Sequence, residues 1–213
     1  MVKTGMLIML IMFGVSCHAQ ELCEPVQMNS QLEAVFDIDQ DVRATLRSAR
    51  FDQKFSPDGG HQAALEKAIQ NVRDGDRENI KIVKNMFETC GWVDAKKLSY
   101  KANSAVFFVI QHGSKEDRVR YFPYFEKQYH DNLLHTYHYV MMVDRMRYDQ
   151  NLGQLYGTQF SSENKDGVEA YGDVFEPEKL NDRRVKMGLN RIRAFDDKYL
   201  PNIPDKDKAG WTQ

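Results

Sequence analysis

The sequence predicts a single, mainly helical domain with one small β-hairpin near residues 145–160. Apolar residues recur at helical spacing between polar stretches that carry cap and breaker residues. The composition is that of a globular chain long enough for a real core: 213 residues, 42% hydrophobic and 28% charged. Only Met146-Arg147-Tyr148 and Gln154 to Phe160, flanking Asp149-Gln150-Asn151-Leu152-Gly153, combine β-favouring runs with hairpin-turn chemistry.

Residues 1–19 read as an export signal set apart from the fold. Lys3 supplies a short positive start, and Met6 to Phe13 form an apolar run too short to span a bilayer with ease. Two endings compete. Cys17-His18-Ala19 before Gln20 suits ordinary signal peptidase, whereas Gly14-Val15-Ser16-Cys17 resembles a loose lipobox that would place a diacylglyceryl anchor on Cys17. In the latter, Gly14 stands where leucine is usual. An uncleaved anchor helix is the third option. The chain is therefore expected to be exported, either periplasmic or secreted, or else lipid-anchored to the envelope. Cleavage after Ala19 leaves Cys23 and Cys90, which permit one disulfide or two free thiols.

Residues 20–28 read as an arm of the single domain that fills 20–213. Asn29 or Ser30 caps a first helix to about Ser48, with Leu32, Val35, Phe36, Val42 and Leu46 near helical spacing. Ser56-Pro57-Asp58-Gly59-Gly60 is a turn cluster. Ala64, Leu65, Ala68, Ile69 and Val72 mark a second helix that Asp74-Gly75-Asp76 breaks. Asp76 then caps a third, with Ile80, Val83, Met86 and Phe87, which Gly91 ends. The apolar run at 103–112 fits a buried helix or a buried strand; helix is favoured, stopped by Gly113.

Residues 115–129 form an aromatic-rich amphipathic helix, interrupted or bent near Pro123. Asp131 or Asn132 starts the helix that leads into the hairpin. A polar loop covers 161–172. Asn181 or Asp182 caps a helix ending near Gly188, Leu189 to Tyr199 form a last one, and the charged, proline-bearing tail frays.

The formal net charge of −2 gives no basic face, so nucleic acid is not an expected partner. No Gly-x-Ser-x-Gly, Walker loop, dinucleotide fingerprint or His-Glu-x-x-His occurs, and no cofactor is implied. His130, His135 and His138 include a His-x-x-His pair, but no carboxylate completes a ligand spacing, so no metal site is expected.

The distinctive feature is polar chemistry set against core-like sequence. Gln111-His112 closes the run Ala105 to Ile110, and Asp144-Arg145 leads into Gly153-Gln154-Leu155-Tyr156-Gly157-Thr158-Gln159. Polar groups taken into a core must find partners. His112 is the candidate proton-transfer group, with Asp76 or Asp144 to orient it. A histidine at a helix end also neutralises terminal carbonyls. Arg145 suits a bidentate grip on a carboxylate or phosphate, or a structural ion pair.

Gln154, Tyr156 and Thr158 would share one strand face, opposite Gln159, and Gly157 marks a bulge or a close approach. Asp39 and Arg43, four apart, share a helix face, most simply as a surface ion pair. Asp76 and Asn79 sit where caps are ordinary, and Arg183-Arg184 fall early in a helix whose dipole disfavours cations. Gln111, Gln154, Tyr156, Thr158, Gln159, Arg145, Arg183, Asp39, Arg43 and Asn79 are thus candidate ligand-binding residues, expected to gather around the hairpin.

Together these residues resemble a bacterial family catalogued only as domain of unknown function 6624. The likeness rests on Asp39-Gln40 with Arg43, Asp76 with Asn79, Gly91-Trp92, Gln111-His112, Asp144-Arg145, Gly153-Gln154-x-Tyr156-Gly157-Thr158-Gln159, and Arg183-Arg184 with Gly188-Leu189. Val93 departs from the proline, and Tyr100 from the glycine, usual at those places. The resemblance implies fold boundaries and a polar set, but no reaction.

Three functions remain open. The first is a hydrolase or lyase acting on a small polar or anionic substrate. The second is a non-catalytic module that binds such a ligand or an envelope partner. The third is a purely structural polar network.

Overall fold

The computed structural model describes residues 21–55, 61–161 and 170–192. The expected leader with Cys17, the turn cluster at 56–60, most of the 161–172 loop, the body of the helix expected at 189–199 and the tail lie outside them. The chain divides into two compact units, Met1–Gly113 and Ser114–Gln213. It is mainly helical, as the periodicity requires. Among the described residues no helix is long and apolar enough to cross a membrane.

Among the described residues three α-helices build the first unit: α1 (Pro25–Phe55), α2 (His61–Cys90) and α3 (Tyr100–His112). α1 buries Met28, Leu32, Val35 and Asp39, spaced by four, three and four, so one stripe faces inward. α2 answers with Ala68, Val83, Met86 and Phe87, and α3 with Ala102, Ala105, Val106, Phe107, Val109 and Ile110. The break expected at Asp74-Gly75-Asp76 does not occur. A helix-interior glycine costs only about 1 kcal/mol, less than the burial of the flanking apolar stripe returns.

The two aspartates beside Gly75 are used without ending the helix. Asp74 accepts from Gln70 Nε2 at 2.9 Å and Arg77 Nη2 at 2.5 Å, while Asp76 pairs with Arg43 of α1. Gly91 does end it, with φ +73°. The Cys23–Cys90 disulfide is formed, with Cα atoms 5.4 Å apart, and ties the start of the described chain to the end of α2. α3 begins at Ser99, whose Oγ accepts from Ala102 N at 3.1 Å and donates to Glu33 at 2.6 Å. Gly113 caps its other end.

In the second unit, α4 (Lys115–His130) starts with a capping box between Ser114 and Asp117. It continues through Pro123 because Tyr121, Tyr124, Phe125 and Gln128 keep one face buried. α5 (Thr136–Tyr148) starts four or five residues beyond the expected Asp131 or Asn132, capped by His135, whose Nδ1 accepts from Tyr137 N at 3.1 Å. It then runs on to Tyr148, so Met146-Arg147-Tyr148 is helix and the expected hairpin over 145–160 is not shown. The reason is local. The helix carries Val140, Met142 and Asp144 inward, the Asp149 N–H closes its end on Arg145 O at 3.0 Å, and the Arg147 side chain holds the next turn by donating to Gly153 O at 2.8 Å and Leu152 O at 2.9 Å.

Past Leu152 the chain forms a folded loop. Gln154 makes a lone parallel bridge with Val174. The two-residue strands β1 (Phe160–Ser161) and β2 (Ala170–Tyr171) pair antiparallel beyond it. A short α6 (Leu180–Lys186) comes next, and Gly188 at φ +70° succeeds it.

This framework sets two expectations for stability. Reduction, or C90S, should cost about 4 kcal/mol, the loop-entropy value for a crosslink spanning 67 residues; urea unfolding with and without reductant measures it, and an unchanged midpoint would contradict the crosslink. His138 is held down to about 4, by burial first and by neighbouring His135 second. From pH ~6.5 down to that value the unfolded chain takes up a proton that the folded chain refuses. Stability should therefore fall as pH drops through this window. H138Q should flatten the decline in Tm, and parallel pH curves for the two proteins would refute the assignment.

Candidate functional site

The residues singled out in the sequence separate into two sets, one in each unit. Asp144, Gln154, Thr158 and Gln159 are shut from solvent in the second unit, and their hydrogen bonds close on one another. The Asp144 carboxylate accepts from Leu155 N at 2.7 Å, Tyr156 N at 3.0 Å, Thr158 N at 3.0 Å and Thr158 Oγ1 at 2.9 Å. Burial pushes this carboxyl up from the usual aspartate range, and the donors from Tyr156, Thr158 and Leu155 pull against it.

Gln154 Oε1 accepts from Thr158 N at 2.8 Å and Gln159 N at 2.6 Å, and its Nε2 donates to Gln159 O at 2.9 Å and Gly172 O at 3.1 Å. All four bonding positions of that amide are used. Gln159 Nε2 donates to Met141 O at 3.2 Å and Thr158 Oγ1 at 3.1 Å.

Arg183 and Arg184 lie in the last turn of the short α6, where the dipole favours them, and bind backbone oxygens. Arg183 Nε donates to Leu155 O at 2.7 Å, and its Nη2 reaches Phe175 O. Arg184 donates to Asn190 O at 2.7 Å and Tyr156 O at 2.5 Å. Tyr156 is half-buried; desolvation pushes its phenol up, with Asp144 and Tyr129 adding and Arg183 opposing. Arg145 is the member of this set with little to bind: its nearest carboxylate, Asp149, is 3.9 Å away.

The first unit holds a different arrangement. Asp39 is fully buried on α1, and the ion pair expected at the surface is therefore in the interior. Its carboxylate accepts from Gln40 Nε2 at 2.8 Å and lies 3.2 Å from Arg43 Nη1. Arg43 Nη2 donates to Asp76 Oδ1 at 2.7 Å, so one guanidinium spans two carboxylates from two helices. His112, at the end of α3, brings Nδ1 within 3.3 Å of Asp39 Oδ1. Because a carboxylate only accepts, that contact selects the Nδ1–H tautomer and leaves the Nε2 lone pair available.

The imidazole is 28% exposed, and Nε2 makes no hydrogen bond among the described residues. Phe108, one turn earlier, stacks on its ring with centroids 6.1 Å apart and fixes its plane. Asn79, three residues after Asp76, is buried, with its Nδ2 unpartnered. Gln111 is buried beside His112.

Asp39, Asp76 and His112 also have ligand atoms within 4.8 Å of one another, a set able to hold a cation. Arg43 already places a fixed positive charge against both carboxylates there. His135 and His138 have ring centroids 6.1 Å apart, and the Nδ1 of His135 is occupied by its helix cap.

The sequence reading missed Phe108, Arg118 and Asp149. Phe108 was legible as the i−4 neighbour of His112. Asn181, expected as a helix cap, lies inside α6 and instead pairs both ways with the Ile192 backbone at 3.1 and 2.8 Å. Comparison with protein-family models, curated proteins and solved structures finds no match.

D144N should destabilise the protein by about 2 kcal/mol or more, since the carboxamide turns a donor toward backbone N–H groups that then lose their acceptor. Chemical unfolding checks it, and a change below ~0.5 kcal/mol would show that the loop does not depend on this carboxylate.

Proposed function

We propose that the chain is an exported enzyme of hydrolase or lyase type whose proton-transfer group is His112. One observation carries the reading: an imidazole held by a fully buried carboxylate through Nδ1, with the other ring nitrogen unbonded and the ring partly open to solvent. That is the base-and-orienter geometry of general acid–base catalysis. Asp39 is the orienting group, and Arg43 and Gln40 hold Asp39 still. Asp76 and Asn79 face the reacting group in this scheme. With no serine or cysteine bonded to His112 among the described residues, the imidazole takes a proton from water in a hydrolytic reaction, or from a carbon next to a leaving group in an elimination.

Export is supported by the leader-like first 19 residues and by the Cys23–Cys90 disulfide, a bond that persists in oxidising compartments. The likeness to domain of unknown function 6624 is consistent with this reading and contributes no activity to it. In the Asp144–Gln154–Thr158–Gln159 set every acceptor of the two buried anchors is occupied, which favours a structural role for that motif.

A panel of ester, amide, phosphoester and β-elimination substrates tests the proposal. Turnover of any panel member should fall at least ~100-fold in H112A, and D39N should fall too. Nitrogen-15 spectra of the imidazole should show the Nδ1–H tautomer. An active wild type with full activity in H112A would dismiss His112 as the base.

A further inference from the structure

The groups around His112 do not balance in charge. Asp39 and Asp76 carry one negative charge each, and Arg43 answers both, at 3.2 Å and 2.7 Å. Among the described residues no other lysine or arginine comes within ion-pair distance of either carboxylate. A base must be neutral to take a proton, so the imidazole adds no charge, and one negative charge is left over. His112 also ends α3, where the helix dipole favours cations.

The two carboxylates differ in what they have left to offer. Asp39 is shut from solvent and engaged on both oxygens, Oδ1 by Arg43 and His112 and Oδ2 by Gln40. Asp76 gives Oδ1 to Arg43, but its Oδ2 has no partner among the described residues. That oxygen is open to solvent, on a side chain 29% exposed. Asn79, three residues on and so on the same face of α2, is buried with its amide nitrogen unpartnered. A half-turn of that amide presents its oxygen as a second acceptor. A metal ion needs about four ligand atoms, and only Asp76 Oδ2 and His112 Nε2 stand accessible without a partner. A primary ammonium brings three N–H donors and needs far fewer contacts.

We propose that the substrate met by His112 carries a primary ammonium group, which docks on Asp76 Oδ2 and leaves Nε2 to face the reacting proton. This rests on the reading of His112 as the base and narrows its substrate to amine-bearing compounds. The ammonium supplies the positive charge that Arg43 alone does not, through a charge-assisted hydrogen bond. A carboxylate or phosphate at the same place meets the surplus negative charge and is disfavoured.

Titration of the purified protein with n-butylammonium, 1-butanol and butyrate at matched ionic strength, followed by nuclear magnetic resonance, tests the charge preference. Saturable binding of the amine is expected, with shifts at the His112 ring nitrogens and the Asn79 side-chain amide. The alcohol and the acid should bind about tenfold more weakly or worse. D76N should weaken the amine about tenfold or more, whereas E78Q, at a 62% exposed carboxylate of the same helix, should bind as wild type. The wild-type shifts need no variant to fold. Absence of saturable amine binding, alcohol or butyrate affinity within about twofold of the amine, or zinc ion binding that excludes the amine would each overturn the inference and leave His112 standing as the base. Full turnover in H112A with amine binding intact would instead dismiss the base while the cation site stood.

Discussion

A carboxylate with no access to water must be surrounded by donors, and the second unit is arranged around that requirement at Asp144. α5 carries the side chain inward, and the 154–159 loop turns its backbone N–H groups toward it. Turning the amides in turns carbonyls out, and those would be left over in a loop too irregular to pair them. Arg183 and Arg184 take the carbonyls of Leu155 and Tyr156, two of the three residues whose N–H groups Asp144 accepts. Gly157 permits the reversal, with φ +64° and the Leu180 and Ile192 side chains packed where its Cβ would point. Gln154 closes the ring from the other side. Loss of any one group strands another, so the elements act as one cooperative unit.

The first unit also buries an aspartate, with a different outcome. Asp39 has fewer donors, and one of its neighbours is an imidazole that keeps a second nitrogen for other work. Buried polar atoms without a hydrogen bond, Asn79 Nδ2 and Arg43 Nη1, fall among these same residues. Under-satisfied polar groups are costly in a core and concentrate where a protein binds or reacts. Both oxygens of the Asp144 carboxylate are occupied, whereas unbonded polar atoms lie among the neighbours of Asp39.

Much of the helical framework was legible. The stripe through Leu32 and Val35, the apolar run stopped by Gly113 and the apolar–polar junction at Gln111-His112 are local signals, and local signals survive folding. Errors came where tertiary packing outweighed local preference. Gly75 between two aspartates looks like a breaker, yet α2 passes through it because buried residues lie before and after it and Arg43 neutralises Asp76 from α1. Met146-Arg147-Tyr148 has strand-like composition but continues α5, which Asp149 caps, while the Arg147 side chain holds the following turn through the carbonyls of Leu152 and Gly153. The Asp39–Arg43 pair reads as a surface pair because spacing reports a shared face and not what covers it.

By itself the sequence determined that the chain is mainly helical, which runs are core, and which polar residues stand against them, because periodicity and adjacency are properties of the chain. Only the tertiary structure decided which carboxylate each polar group serves. Asp144 and Asp39 are alike as letters. One is ringed by backbone donors contributed by a loop ten or more residues away, and the other meets a histidine 73 positions along the chain. Partnership at that distance depends on how helices pack and loops close, which no local pattern encodes.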